Sequence, residues 1–511
     1  MVELIVQAGT VVTGVQDRHT PIIVENGAVL SRDGVIVAVG TLDEMKQLAP
    51  AAEIKLYPDH MMLPGFVNSH HHVGMTPLQL GSPDHALELW FASRMPARKL
   101  DLYLDTLYSA FEMIASGITT VGHIHGWMTG GYDAIHGAAS KVLSAYRKIG
   151  MRASYSYAVR EQNRLVYEAD EDFCARLPAP LNDDLAKHLK SQAMPFDDFL
   201  KLFDQLTADN QGQRLTRIQL APANLHWCSD ESLVTLHEKA EAANVPMHMH
   251  LLETAYQKEY ARRRTGKTAV RHLYDLGVLS KRMTLGHSVW MTAEDIDIVA
   301  ETGTCICHNC SSNFRLRSGI APLNAFEKKG LNVAIGLDEA GINEDRDMLQ
   351  EMRLVLRAHR TPGMDDDVPT CPQVLNMATA AGGKTTAFGD KIGRLDPGRF
   401  FDAVLINKKT ATYPYQDMDV PMLDAVIQRA KTSSVDAVYC DGNLVYADGK
   451  FANVDRDEVL KEIADHFAKP RSPEDEARRK LGQAVFPHVK AFYDGYISEP
   501  VTPFYGQSSR T

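Results

Sequence analysis

The chain has 511 residues, 44% hydrophobic and 23% charged, with a formal net charge of -11. That balance is of a globular protein large enough for a big barrel and a smaller companion, and the acid excess excludes nucleic acid as the main partner. No apolar run approaches the ~20 residues of a membrane span; with no basic leader or cleavage site at the N-terminus, and seven cysteines too sparse for a disulfide framework, the cytoplasm is the expected compartment.

Residues 1–60 read as short strands. "AVLSRDGVIVAVG" alternates apolar and polar residues and turns at Asp33-Gly34, a hairpin signal. The same texture returns in residues 393–407 and 435–451, with turn signals at Asp396, Gly398, Asp441-Gly442 and Asp448-Gly449. These two ends, 1–60 and 390–455, are expected to form one composite β-sandwich domain.

Between them, over 61–389, short apolar runs alternate with helical patterns. Eight candidate strands can be counted: "MMLPGFVNSHHH", "GITTVGHIH", "MRASYSYAV", "TRIQLAPANLHW", "VPMHMHLLE", "MTLGHSV", "TCICHN" and "NVAIGLDEA". Eight βα units predict a (β/α)₈ TIM barrel, whose active-site face lies at the C-terminal ends of the strands. Those ends carry His70, His72, His123, His125, His250, Glu253, His287, Asn309 and Asp338. A random scatter of histidines would not choose the same end of strand after strand.

Residues 456–511 read as a helical extension with Ser472 as an N-cap, Pro473 in the first turn, and Pro487 expected to interrupt the helix. The basic cluster "ARRRTGK" reads as solvated helix surface. In "CICHNC", Cys307 and Cys310 have CxxC spacing, but no second ligand pair follows, so ordinary strand residues are expected.

Strand side chains alternate between faces, so in the triple histidine His70 and His72 point one way and His71 the other. Two further HxH pairs, His123/His125 and His248/His250, compete for the same role. One ion takes three or four protein ligands and keeps a position open for water, and spacing alone does not choose among the pairs.

"LPGFVNSHHH", "HMHLLET", "LGHSVW", "SSNFRLRSGIAP" and "AIGLDEAGINEDRDMLQEMRL", in that order, resemble the amidohydrolase superfamily, in its cytosine deaminase-like branch with the adenosine-type deaminases and triazine hydrolases. The resemblance runs from about residue 1 to about 465. It implies His70, His72, His250 and Asp338 as metal ligands, Glu253 as proton shuttle and His287 as the residue holding the attacking water or the leaving region. His125, Asn224, His226, Trp227 and Asn309 are then candidates for substrate contact. Dinuclear relatives carry a carboxylated lysine at the end of the fourth strand; "TRIQLAPANLHW" has none, so one divalent metal per chain is expected, zinc before ferrous iron. Three positions depart from the pattern: Cys310 stands where Pro is usual, Glu339 where Gly is usual, and Leu80-Gly81 where an Arg-Gly is common.

A metal-bound water in such a site has its pKa lowered toward ~7, and an acid such as Glu253 adds ~10²–10⁴-fold. The expected activity is hydrolytic deamination of an aminated nitrogen heterocycle. The alternatives are hydrolysis of another C–N bond (urea, amide or carbamate) or of another leaving group, and a non-catalytic metal scaffold. Glu253 and His287 speak against the last, because neither is needed merely to hold metal. The expected partners are a small-molecule substrate and further copies of the chain in a homo-oligomer.

Overall fold

The computed structural model describes residues 2–126, 128–364 and 368–498; residues 499–511 of the expected extension lie outside the described residues. The Asp33-Gly34, Asp441-Gly442 and Asp448-Gly449 turns each put both central residues at positive φ, from 48° to 80°. That is the backbone a two-residue hairpin needs. They join strands Gly27–Arg32 to Val35–Thr41, Val435–Cys440 to Asn443–Ala447, and Asn443–Ala447 to Lys450–Phe451.

These hairpins belong to one nine-stranded sheet drawn from both chain ends. Strand Glu3–Val15 pairs antiparallel with Gly27–Arg32 and parallel with Glu53–Pro64, and Ala403–Asn407 pairs with the far edge of Glu53–Pro64. Val6, Val11, Val29, Phe401 and Tyr439 form a core of its own beneath it. The stretch expected as the first barrel strand is divided. Met61 and Met62 pair with Thr10 and Val11 in the outer sheet. At Gly65 the chain changes sheets, because Gly65 N–H donates to Asp402 O and Phe66 N–H to Gly117 O.

The barrel strands are Phe66–His71, Ile118–His125, Arg152–Val159, Thr216–Ile218, Met247–Leu251, Met283–His287, Cys305–His308 and Val333–Ile335. All neighbouring pairs among them are parallel. Parallel bridges at His71–Asp338 and Leu220–Met247 join the two halves at both seams, giving a TIM-barrel-like α/β fold. The fourth strand is short, resuming only at Ala221–Pro222.

Beneath the barrel, Arg152 ties it to the outer sheet. Its guanidinium is fully buried, donates to both oxygens of Asp402 (2.7 and 3.2 Å) and to Asp441 Oδ1 (2.8 Å), and lies 4.1 Å from the Phe400 ring centre.

The C-terminal region differs from expectation in one respect. Helix Pro473–Phe492 is capped by Ser472 but runs unbroken through Pro487. Pro487 and Gln483, four residues before it, are both exposed, so the missing bond falls on the outer face while buried Gly482, Val485 and Val489 hold the inner face. This helix packs on helices Leu87–Arg94 and Leu181–Lys190. Gly482 is required there: a Cβ would come within 2.9 Å of Pro96 Cδ and 3.0 Å of Met95 Cβ. Arg471 and Arg478 donate to the carbonyls of Pro96 and Ala97, and Arg98 donates back to Phe467 O. The basic cluster is also more than surface, since Arg264 is largely buried and donates to Leu225 O, Cys228 O and Asp230.

Among the described residues, no helix is long and apolar enough to cross a membrane.

Candidate metal centre

The barrel register brings His70, His72, His250 and Asp338 together. His70 ends inside the first strand and His72 lies one residue past it, on the same side, as alternation requires. His72 Nδ1–H donates to Ile124 O on the second strand (2.7 Å), and His250 Nδ1–H donates to Ala223 O (2.8 Å). Each of these bonds fixes the tautomer and leaves Nε2 as a bare acceptor. The two Nε2 atoms nevertheless stand 3.0 Å apart. His70 turns Nδ1 to His248 Nε2 (2.8 Å) and brings its own Nε2 to 3.0 Å from that of His72. Asp338 Oδ1 lies 3.2 Å from His72 Nε2 and 3.5 Å from His70 Nε2.

Three imidazole nitrogens and a carboxylate oxygen therefore converge on one point, and with both rings neutral the His72 and His250 lone pairs face each other. A shared cation relieves that arrangement, and a set of imidazoles with one carboxylate suits zinc or ferrous iron. Burial pulls His70 down to about 3 and His250 well below the ordinary histidine value, so both are neutral. At His72 burial also acts downward, but the hydrogen bond and charge of Asp338 outweigh it and raise the group. Positive charge is thus favoured at this one point of the cluster. The residues fit a divalent ion.

Gly336 makes the close approach of strands possible, since a Cβ there would lie 2.5 Å from His70 Cβ and 2.3 Å from Asn309 Oδ1. Leu252, His287 and Asp338 all take positive φ (52°, 67° and 55°), so three strand ends bend through a backbone that non-glycine residues seldom adopt.

Glu253 and His287 face this point. Burial first, then the charges of Asp338 and Glu88, push the Glu253 carboxyl well above its ordinary value, which favours its protonated form. His287 Nε2 stands 3.6 Å from Glu253 Oε2 and 3.9 Å from Asp338 Oδ2. Its Nδ1–H donates to Asn313 Oδ1 (2.9 Å), and burial lowers its pKa, so Nε2 is an acceptor. Ser312 Oγ donates to Asp338 Oδ2 (2.6 Å).

Asn313 and Ser312 sit on helix Cys310–Arg315, whose first turn is capped by a distant side chain: Ser311 N–H donates to Glu351 Oε1 (3.0 Å). Burial raises Glu351 from its ordinary value of 4.5 to about 7. An acid raised in the fold keeps its proton there longer than in the unfolded chain. Stability is therefore full below about pH 4.5 and falls as pH rises to about 7. Glu351→Gln keeps an acceptor for Ser311 and cannot ionise. Its stability relative to wild type is expected to climb across that window and then hold, by up to ~3 kcal/mol. Melting curves over pH check it; a difference that does not change with pH would refute the assignment.

Of the other sequence candidates, Asn224 and Trp227 line the cavity over the cluster, with His72, His250, Glu253, His287 and Asp338. His125 lines a larger adjoining chamber of about 640 Å³ that shares His72, Phe91 and Gly126 with it; its Nδ1 is bonded to Tyr155 OH. His226 is not brought to either wall: it is buried against Tyr167 and Trp227. Asn309 is likewise behind the wall, its amide against His287 Nε2 at 3.2 Å. His71 faces away, to Asp338 O and Ser109 Oγ, and His123 is bonded to Tyr146 OH. Cys305 and Cys307 are buried strand residues and Cys310 begins the helix.

The sequence reading missed Leu87, Trp90, Phe91, Arg160 and the wall position of Glu339. The available signal was "LELWFASR", a dense apolar stretch between the first and second barrel strands.

A model of the Amidohydrolase family matches residues 61–445, and one described as an imidazolonepropionase-like composite domain of bacteria matches 27–52. The chain is 28% identical over 450 residues to a 5-methylthioadenosine/S-adenosylhomocysteine deaminase of Thermodesulfovibrio yellowstonii, covering 86% of this chain and 92% of that one. Among solved structures, the zinc-bound adenosine deaminase of Xanthomonas campestris superposes with a TM-score of 0.77 at 23% identity, over 91% of this chain and 98% of that one. The zinc complex of the atrazine chlorohydrolase of Arthrobacter aurescens gives a TM-score of 0.77 at 18% identity, over 90% and 99%.

Proposed function

The chain belongs to the amidohydrolase family, and from that premise we propose that it is a metal-dependent hydrolase that deaminates an aminated nitrogen heterocycle. The observation that carries the proposal is the meeting of a histidine–carboxylate cluster suited to a cation with the buried carboxyl of Glu253 in one cavity. The deaminase names of the relatives support the same reading.

We assign His70, His72, His250 and Asp338 as the ligands of one divalent ion per chain, zinc before ferrous iron. When bound, such an ion supplies hydroxide at neutral pH. The chain's residues then move protons around the attack. His287, beside Glu253 and Asp338, faces the attacking water and orients it. Asp338 takes the water's proton as oxygen bonds to the ring carbon. Glu253 gives its proton to the adjacent ring nitrogen, so the ring's electron pair has somewhere to go. The proton held on Asp338 passes to the amino nitrogen, the C–N bond breaks and ammonia leaves, while the new hydroxyl gives its proton back to Glu253 as the ring carbon becomes a carbonyl.

The finer organisation is proposed on the same footing. Residues 1–60 with 390–455 make the composite domain, its sheet folding on itself as a β-sandwich. Residues 61–389 make the barrel, and 456–511 the helical extension. A homo-oligomer in the cytoplasm is the proposed form and location.

Incubating metal-replete protein with aminopurines, aminopyrimidines and aminotriazines tests the activity. Ammonia is the expected product, and chelation is expected to stop its release. Release of another leaving group without ammonia would favour the triazine-hydrolase-like alternative. Metal content without turnover across all classes would favour a binding role.

A further inference from the structure

Glu339 follows the metal-facing Asp338 and lines the same cavity, with only 7% of its surface exposed. Its Oε1 accepts from Arg94 Nη1 at 2.7 Å. Its Oε2 is buried and has no hydrogen-bond partner among the described residues. A carboxylate present only to pair with an arginine would ordinarily engage it with both oxygens. Leaving a buried acceptor unmade costs about 1–3 kcal/mol, and more for a charged group. An orphan of this kind on a cavity wall calls for a donor on whatever fills the cavity.

The opposite polarity is also on the wall. Asn224 is 2% exposed, and its Nδ2 is buried with no partner among the described residues. Trp90, Phe91 and Trp227 line the same cavity with aromatic rings. We propose that Glu339 is a specificity residue that accepts a hydrogen bond from a second N–H group of the substrate. The substrate class is then a flat nitrogen heterocycle with at least two amino groups, one removed and one read. The inference rests on the deaminase reading above.

A cationic group is the less suitable donor. Arg94 already offsets the charge of Glu339 and is held 4.7 Å from the Trp90 ring centre. Arg160, 4.0 Å from the Trp227 ring centre, puts a guanidinium on the wall itself. A neutral N–H meets the open oxygen without adding a third positive charge. Asn224 Nδ2 would meet a ring nitrogen or carbonyl of the same molecule.

The test compares matched pairs on metal-replete protein: diaminopurine, diaminopyrimidine and diaminotriazine, each against its counterpart with hydrogen in place of one amino group. In the pair that is turned over, kcat/KM is expected to fall ~10²-fold or more when the second amino group is missing. Glu339→Gln, at unchanged metal content, is expected to shrink that ratio below ~10-fold, with the loss for the diamino member residing in KM more than in kcat. Ammonia released equally from both members of every pair, or from the monoamino members alone, would overturn the inference and leave the deaminase reading standing. A Glu339→Gln enzyme that discriminates as wild type does would also overturn it. No ammonia from any member would remove the deaminase reading and this inference with it. Should the variant fail to fold, the wild-type ratios decide alone.

Discussion

Glu253→Gln protein is expected to fold, to hold its metal, and to lose ~10²–10⁴-fold in kcat. The two side chains are nearly the same size, and the residue's fixed contacts survive the change: its backbone N–H bonds Gln257 Oε1 at 2.9 Å, and Ser318 Oγ lies 3.4 Å from Oε1. What changes is the proton. Burial and the charges of Asp338 and Glu88 favour the protonated form of the Glu253 carboxyl, and an amide cannot give its hydrogen to a ring nitrogen. The loss should appear in kcat and kcat/KM together, because the interaction is made in the transition state. Near-normal kcat in a metal-replete variant would mean another group carries the proton. A lowered Tm with an unaltered rate would mark Glu253 as structural.

The second large effect concerns the three adjacent histidines. His70→Ala and His72→Ala are expected to empty the metal site and abolish turnover; His71→Ala is expected to retain the metal. His70 and His72 turn Nε2 inward to the same point, 3.0 Å apart. His71 bonds Asp338 O at 3.2 Å and Ser109 Oγ at 3.3 Å on the opposite side. Its loss leaves a small buried void and a lost seam contact, so it should lower stability by ~1–3 kcal/mol without removing a ligand. Metal-to-protein ratios and melting temperatures of the three purified variants separate the cases. An emptied site in His71→Ala, with the other two still loaded, would reverse the assignment.

Local chemistry made much of this legible beforehand. The Asp-Gly turns are visible because only a few residues accept positive φ at both central positions. The facing of His70 and His72 follows from a period of two. The clustering of polar residues at strand ends follows from the direction of parallel strands. What stayed hidden depends on contacts far apart in sequence. Nothing near Pro487 says that the missing bond will fall on the outer face. Nothing near Gly65 says that the chain changes sheets there. His226 and Asn309 have the right chemistry at the right strand ends, yet they stand behind the wall because Trp227 and His287 stand in front. Helix Leu87–Arg94 has no strand periodicity to mark it as part of a pocket, and its place is fixed by residues nearly four hundred positions later.

That last contact bears on how such a protein can be re-engineered. The family match ends at residue 445, whereas helix Pro473–Phe492 supports the segment that carries Trp90 and Phe91. Its glycine is pressed against Pro96, its Arg478 donates to the carbonyl of Ala97, and Arg471 just before it donates to that of Pro96. The selectivity wall and its buttress are therefore a single transferable unit split across the chain. A chimera that grafts residues 80–100 onto a relative without this tail would transplant the aromatic faces but not the brace that positions them. Conversely, directed evolution aimed at the tail, far from any reacting atom, would tune which rings the cavity admits.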